Sequence, residues 1–215
     1  MDTQTIVLAT RNAGKIKEMT SLLAKSRIIA TGLNSWPEIG DIPETGQSFS
    51  ENALIKARTI TRLTGRIALA DDSGLAVDAL DGQPGIFSAR YADDWAAHPH
   101  ESRDARNIRK LLWSLRDVPP AKRGAHFETA LAIVAPNGHE LVTVGKWHGF
   151  ITRTLTGSNG FGYDPVFFDP ILKKNAAELD SAAKNAVSHR GRALQKMMEQ
   201  LAAFMDKARL PAAAK

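Results

Sequence analysis

Asp71 and Asp72 stand side by side after the apolar run Ile67-Ala68-Leu69-Ala70 and are followed by Ser73 and Gly74. The run reads as a short buried strand, and strand ends are where α/β proteins keep their chemistry. Successive side chains on a strand face opposite ways, so the two acids can converge only if the strand stops there; Gly74 is the residue expected to turn it. Two ionised carboxylates about 4 Å apart at an effective dielectric near 20 repel by roughly 4 kcal/mol, so convergence implies a cation or a raised pKa. A hard divalent ion such as Mg²⁺ answers that need most simply. The competing reading of Asp-Asp-Ser-Gly alone is a solvated turn after a strand.

A second constellation lies near the amino terminus. Ile6, Val7, Leu8 and Ala9 form a continuous apolar strand, and Thr10-Arg11-Asn12-Ala13-Gly14-Lys15 turns into a helix with Ile16, Met19, Leu22 and Leu23 on its apolar face. Backbone N–H groups and the positive dipole end of such a helix face an anion, with Thr10 and Asn12 adding donors and Lys15 a full charge. It is not a Walker loop, because Ala9 stands where a glycine is needed and Ile16 where Ser or Thr is needed. An ordinary capped helix is the alternative.

The elements that must position these groups follow from spacing. After a second strand near residues 28–30, a Pro- and Gly-punctuated loop over 34–46 carries Glu38, Asp41 and Glu44, most of them expected in solvent. A helix over 48–63 places Phe49, Ala53, Ala57 and Ile60 on one side and Asn52 with Lys56, four apart, on another. Lys56 can therefore reach into a cleft, although a lone helical lysine is ordinarily a surface residue. Residues 75–80 continue extended to a turn at Asp81-Gly82, and the polar segment 93–103 is read as a surface loop in which His98 and His100 are not metal ligands. It leads into a helix with Ile108, Leu111, Leu112 and Leu115 facing inward.

Strands over 127–135 and 140–144 flank a hairpin turn at Pro136-Asn137-Gly138, and a further strand is expected over 150–155. The segment from Gly157 to Pro165 contains Phe161, Gly162, Tyr163 and Asp164 and suits a loop that stacks on a base. Its order, G-x-x-G-x-G, is not the dinucleotide fingerprint. A single helix is expected over 181–208 with Val187, Leu194, Met198, Leu201 and Met205 as its apolar face. Its first turns carry Lys184, Ser188, His189 and Arg190, Lys184 and Ser188 sharing a face, and residues 210–215 are expected to fray.

Composition narrows the classes. With 215 residues and 43% hydrophobic content the chain can bury a substantial core as one domain, whole or split into two lobes. It has no cysteine, which removes disulfides, thiolate metal sites and thiol nucleophiles. No apolar run reaches the roughly eighteen residues of a membrane span, and no signal peptide is recognisable, so a cytoplasmic address is expected. A net charge of +5 favours anionic partners without naming one.

Five separated segments have now appeared: Thr10-x-Asn12-x-x-Lys15; Glu44-Thr45-Gly46 with Asn52 and Lys56; Ala70-Asp71-Asp72-Ser73-Gly74-Leu75; Phe161-Gly162-Tyr163-Asp164-Pro165; and Ser188-His189-Arg190. Together, in order and over essentially the whole chain, they resemble the noncanonical purine NTP pyrophosphatases, the RdgB- or HAM1-like inosine/xanthosine triphosphate pyrophosphatase family. Two departures stand out: Arg11 occupies a position where many members have glycine, and the segment 93–103 is longer than expected.

The resemblance implies an α/β fold with a mixed sheet and flanking helices, elongated, one domain over 1–215 with two lobes and a central active-site cleft, assembled as a homodimer. It implies Mg²⁺-dependent hydrolysis of ITP, dITP and XTP to the nucleoside monophosphate and pyrophosphate, with no membrane and no stable nucleic-acid partner. By the same resemblance Asp72 is the proton acceptor and a Mg²⁺ ligand, Glu44 the second metal carboxylate, and Asp71 and Asn52 are supporting groups. Thr10, Arg11, Asn12, Ala13, Gly14 and Lys15 would hold the phosphates with Lys56, Ser73 and Lys184. Phe161, Gly162, Tyr163 and Asp164 would enclose the purine, and His189 and Arg190 would donate to its 6-keto oxygen. Two other readings compete: a Maf-like pyrophosphatase for other modified nucleotides, and a basic nucleic-acid-binding protein using Phe161, Tyr163 and the lysines as a single-strand platform.

Overall fold

The computed structural model describes residues 4–23 and 28–209. In chain order these form β1 (Gln4–Leu8), α1 (Ala13–Leu23), β2 (Ile28–Gly32), α2 (Phe49–Thr64), β3 (Ala68–Val77), α3 (Arg103–Ser114), β4 (Gly124–Val134), β5 (Glu140–Ile151), β6 (Phe167–Asp169), β7 (Lys174–Asn175), α4 (Ser181–Val187) and α5 (His189–Ala208). Seven strands make one sheet in the order β2-β1-β3-β4-β5-β6-β7. β1 runs parallel to both β2 and β3, whereas β6 is antiparallel to β5 and β7. The sheet is mixed and the helices flank it, so the α/β class expected from the sequence holds.

The chain divides into two compact units, one of residues 1–72, 129–145 and 190–215, the other of residues 73–128 and 146–189. The first unit buries Ile6, Leu8, Leu69, Leu131 and Ile133 from the strands against Met19 and Leu23 of α1 and Leu194, Met197, Leu201 and Phe204 of α5. The helical residues recur every three or four positions, which is the spacing that lays one stripe of a helix on a sheet. The second unit closes over Leu75, Val77, Phe127, Trp147, Ile151 and Phe167, with Ile108, Leu111 and Leu115 of α3 as the covering stripe. Leu112, expected to face inward with them, is only partly buried.

Local chemistry explains the boundaries that matter to function. α2 starts where the Ser48 hydroxyl accepts the Glu51 N–H at 3.2 Å and ends at Gly65, whose φ of 64° is the left-handed conformation that terminates helices. The exposed segment 93–102 is tied to α3 by Lys110 to Asp94 at 2.6 Å, Arg106 to Asp93 at 3.2 Å and Arg109 to Glu101 at 2.7 Å.

Three expectations are corrected. β3 does not stop at the paired acids but runs unbroken through Asp71, Asp72, Ser73 and Gly74 to Val77. Charged side chains from neighbouring helices meet each acid on its own side of the strand, Lys15 and Arg190 at Asp71 and Lys56 at Asp72, so no turn is required to bring them together. The separate strand over 150–155 is also absent: β5 extends to Ile151, and Leu155 lies exposed beyond it. Finally, the single helix over 181–208 is two helices, because Ser188 is extended at φ −66° and ψ 157°. Val187 packs on the second unit's core and Ala193 and Leu194 belong to the first's, so the break lies where the chain passes from one unit to the other. Residues 210–215 and the side chain of Leu22 lie outside the described residues.

β5 contains a position that only glycine fits. A Cβ on Gly149 would stand 2.4 Å from the Phe168 carbonyl oxygen and 2.7 Å from the Phe167 ring. Gly149→Ala should therefore overpack the β5–β6 contact and lower the unfolding free energy by about 1 to 3 kcal/mol in a urea titration; an unchanged midpoint would show that the strands part without cost.

Candidate active site

In the first unit the turn after β1 is built by its own side chains. Thr10 Oγ1 accepts the Asn12 N–H at 3.2 Å, and Asn12 Oδ1 accepts the Lys15 N–H at 3.1 Å, so Asn12 caps α1. Two of the N–H groups that the sequence offered to an anion are thereby committed within the turn. Arg11 has partners of its own: Nη2 donates to the Ile39 carbonyl and, at 3.5 Å, to that of Trp36, with Asp41 3.9 Å from Nη1. Its side chain clasps the loop leading to Glu44, where the sequence reading set it among the phosphate donors.

Adjacent on β3, Asp71 and Asp72 take different partners, as the pleat requires. Asp71 meets Lys15 Nζ at 3.0 Å and Arg190 Nη2 at 3.3 Å, and Arg190 Nη1 also bonds Glu18. Lys15 and Glu18 lie three apart on α1, so two acids and two bases gather in a partly buried group of zero net charge. Burial opposes ionisation of Asp71, but the charges of Lys15, Arg190 and Lys56 outweigh it and hold its pKa well below the carboxylate range.

Asp72 is placed otherwise. Its Oδ1 is 2.8 Å from Lys56 Nζ, which is also 3.0 Å from Glu44 Oε1. Asn52 Nδ2 donates to Asp72 Oδ2 at 3.3 Å while Asn52 Oδ1 accepts the Gly46 N–H at 2.8 Å, a link that fixes the Glu44 loop to α2. The Thr129 hydroxyl donates to the Asp72 carbonyl at 3.2 Å. Lys56 is a buried cation and not the surface lysine that its type suggests. One ammonium serves two carboxylates here. Burial raises the Asp72 pKa, the Lys56 charge opposes that rise, and the like charge of Glu44 adds to it. Lys56 in turn is held protonated, burial notwithstanding, by Asp72, Asp71 and Glu44.

In the second unit, residues 157–164 form a loop organised by Asp164. Its Oδ2 accepts the Phe161 N–H at 2.9 Å and the Lys184 ammonium at 2.6 Å, and that ammonium lies 5.0 Å from the centre of the Phe161 ring. Gly160, at φ 77°, comes so close that a Cβ would sit 2.0 Å from the same carboxylate oxygen. The Gly162 N–H donates to Asp104 at 2.7 Å. Tyr163 turns inward, its hydroxyl donating to the Ser88 carbonyl at 2.8 Å, and burial raises its pKa. Its ring is part of the core, so Phe161, half-buried, is the aromatic of this loop that is presented. His189 is buried and stacks on Phe127 at 5.0 Å and 16°.

The structure therefore assembles Lys15, Asp71 and Arg190 as one group, Glu44, Asn52, Lys56 and Asp72 as a second, and Phe161, Asp164 and Lys184 as a third. Ser73 follows Asp72 on β3 and is half-buried. Lys184, read as a phosphate ligand, is tied to Asp164, and Ser188 does not share its helix. Arg190, read as a base donor, is bound by Glu18 and Asp71. Sequence reasoning passed over Glu18 and Thr129; the three-residue spacing of Glu18 from Lys15 was the available signal for the first, and nothing local marked the second.

The two acids should respond to neutralisation in opposite ways. Asp71, with its pKa depressed, contributes stability that is present above the unfolded value of about 3.9 and is lost as pH falls through the folded value. Asp72, with its pKa raised, contributes stability that is present below the unfolded value of about 3.9 and is lost as pH rises through the folded value, so its ionised form adds none at neutral pH. Asp71→Asn should cost about 3 to 5 kcal/mol by removing the acid that Lys15 and Arg190 share, leaving the buried Arg190 with less counter-charge. Asp72→Asn in metal-free buffer should melt no lower than the parent at pH 7. A lower melting point for Asp72→Asn than for Asp71→Asn in the same scan would reverse this assignment.

Comparison with known proteins bears on the same residues. A model of the Ham1 family matches residues 6–200. A dITP/XTP pyrophosphatase of Nitratidesulfovibrio vulgaris is 48% identical over 204 residues, covering 95% of this chain and 99% of its own. One of Streptococcus pyogenes serotype M3 is 46% identical over 203 residues, and there the chain spans only 60% of the relative's length. Among solved structures, a HAM1 protein from Coxiella burnetii superposes with a TM-score of 0.81 at 42% identity, covering 93% of this chain and 99% of the other. A nucleoside-triphosphatase, dITP/XTP pyrophosphatase, from Mycobacterium abscessus gives 0.71 at 46% identity, over 91% and 99% of the two chains. Matched along most of its length in sequence and in fold, the chain belongs to the Ham1 family.

Proposed function

We propose that this protein hydrolyses noncanonical purine nucleoside triphosphates, dITP, ITP and XTP, to the monophosphate and pyrophosphate, and so cleanses the nucleotide pool in the cytoplasm. The names carried by its relatives support the substrate class. The observation that carries the chemistry is the pairing of Asp72 and Glu44 around one lysine.

That group fits a hard divalent cation. Two carboxylate oxygens, with less positive charge nearby than negative, form a donor set suited to Mg²⁺. Among the described residues no cluster of three or more His, Cys, Asp or Glu is arranged to hold a metal, so phosphate oxygens and water would complete its shell. Bound by Asp72 and Glu44, the ion would neutralise charge on the substrate's phosphates.

The remaining steps belong to this chain. Lys15, Thr10 and Asn12, with the N–H groups of Ala13 and Gly14, take phosphate oxygens, and Lys56 and Ser73 assist. Asp72 accepts a proton from water as its oxygen bonds to the α-phosphorus and the α–β anhydride breaks, releasing pyrophosphate. A raised pKa makes Asp72 a better proton acceptor than an ordinary aspartate. Asn52 orients it, and Asp71 holds Lys15 in place. In the second unit Phe161 and Gly162 cover the base, and Asp164 and Lys184 fix that loop. Read as the two lobes of one domain, the units thus divide phosphate from base recognition.

His189 donates to the 6-keto oxygen, and Arg190 joins it, since one guanidinium has five N–H donors and can serve acids and a keto oxygen together. Adenine presents an amino group at that position. Donor would meet donor, leaving buried groups unpaired at about 1 to 3 kcal/mol each. For GTP, which keeps the 6-keto oxygen, we attribute exclusion to crowding or desolvation of the 2-amino group. A homodimer is the assembly that the family resemblance favours.

The decisive experiment offers ITP, XTP, GTP, ATP, CTP and UTP with Mg²⁺ and identifies the released product. Pyrophosphate from ITP and XTP, with ATP largely untouched, is expected. Orthophosphate, or rates indifferent to the base, would reduce the assignment to a general nucleotidase. Asp72→Asn should abolish turnover, by about 10² or more, while still binding ITP in calorimetry; a variant turning over near the parent rate would remove Asp72 as the proton acceptor.

A further inference from the structure

β4 and β5 are neighbours in the sheet, and bonds at both ends of the pair fix its register. The Ile151 N–H donates to the Arg123 carbonyl at 2.9 Å, and beside the turn the Ala135 N–H donates to the His139 carbonyl at 2.9 Å. One strand's partner falls as the other's rises, so the pair is antiparallel. Counting inward from either end sets His126 opposite His148 and Glu128 opposite Lys146, with no residue left over for a bulge. Hydrogen-bonded and non-hydrogen-bonded pairs alternate along such a ladder. With bonded pairs at Arg123–Ile151 and Ala135–His139, His126 and His148 fall at a non-bonded pair, where Cα atoms approach to about 4.5 Å.

The two imidazoles meet there, their ring centres 5.3 Å apart and their planes 34° from parallel. Phe127 and Trp147, the next residues along, point the other way into the second unit's core. On the opposite face His126 is half-buried and His148 exposed. Glu128 Oε2 lies 3.5 Å from His126 Nε2 and 2.8 Å from Lys146 Nζ.

Neutral imidazole is the donor that zinc and its neighbours in the first transition row favour, and the chain has no cysteine to offer instead. An ion bonded to both rings at about 2.0 Å and near a tetrahedral angle would hold the ring centres about 5 Å apart, close to the spacing found. The χ2 torsion of histidine is broad, so aiming both rings at one point asks for ring rotation and not for movement of the strands. A carboxylate beside one ring nitrogen is the usual companion of a histidine that binds metal through the other, and Glu128 has that place. Among the described residues no three of His, Cys, Asp or Glu are arranged to hold a metal, so water from the open face would complete the shell.

We propose that His126 and His148 chelate a divalent transition ion of the zinc class, which staples β4 to β5. The site is separate from the Mg²⁺ site proposed above, because a hard ion takes oxygen ligands and none of these residues is assigned to the triphosphate.

The test is calorimetric titration of Zn²⁺ into the full chain, free of appended histidines, with Mg²⁺ in excess to hold the carboxylates and at about pH 7.5, where imidazole is neutral. One equivalent of Zn²⁺ should bind and should raise the melting temperature, as linkage requires of a ligand of the native state. His126→Gln and His148→Gln should each weaken the affinity by about tenfold or more, since one imidazole leaves the ion to water. His148 is exposed, so its variant should melt with the parent when zinc is absent. His98→Gln should bind as the parent does. Absence of zinc binding in the parent would overturn the proposal. So would binding that survives in His148→Gln, or that is lost in His98→Gln, because the ion would then lie elsewhere. Zinc should also leave the sedimentation of the chain unchanged; association driven by zinc would replace chelation within one chain by a bridge between two.

Discussion

Neighbouring residues on a strand face opposite ways, and at Asp71 and Asp72 that constraint divides the first unit's chemistry into two charge groups. β3 passes through both acids without a bend, so each must find its counter-charges on its own side. Asp71 finds Lys15 and Arg190, and Arg190 also meets Glu18. Asp72 finds Lys56, which it shares with Glu44. One peptide bond separates an acid that is fully neutralised from one that is not. The raised pKa of one and the lowered pKa of the other follow from that difference in partners, since both side chains are buried.

Buried ion pairs are poor stabilisers, because the attraction between the charges roughly returns what desolvation takes away. The charged groups therefore depend on an apolar frame that exists for other reasons. In the first unit that frame is the cluster of Ile6, Leu8, Leu69, Leu131 and Ile133 against α1 and α5. Each fully buried side chain of this kind adds about 1.5 to 3 kcal/mol. α1 carries Met19 and Leu23 into the core and Lys15 and Glu18 to Asp71, so the packing that stabilises the helix also aims its charges. α2 does the same for Asn52 and Lys56, with Ala53, Ala57 and Ile60 buried alongside them.

Much of this was legible in the sequence. The strand at 6–9, the capped turn at Asn12, the helix beginning at Ser48 and the apolar stripe of α3 each follow from local spacing, and each forms nearly where it was expected. What failed did so where tertiary partners overrule local signals. Gly74 after two acids reads as a turn only when the acids lack counter-charges, and those come from residues 15, 56 and 190. The helix over 181–208 breaks at Ser188 because its two halves serve different cores, which periodicity cannot register. Arg11 and Tyr163 have side chains that suit a nucleotide, yet one holds a loop and the other fills a core. Residue type told what each could touch, and packing decided what it does.

The inequality between the two acids is what the proposed roles rest on. A carboxylate whose charge is fully met has a low proton affinity and holds its neighbours still, as Asp71 does for Lys15 and Arg190. A carboxylate that is buried, short of positive charge and fixed by an amide has reason to take up a proton or a cation. Asp72 has all three features. On the proposed role, a divalent ion at Asp72 would lower the proton affinity that burial has raised, so a change in metal concentration would shift the pH at which Asp72 accepts a proton from water. Crowding Glu44 and Asp72 around one lysine leaves an excess of negative charge that a cation or a proton can offset, which is the link the proposed function makes between cation binding and the readiness of the base.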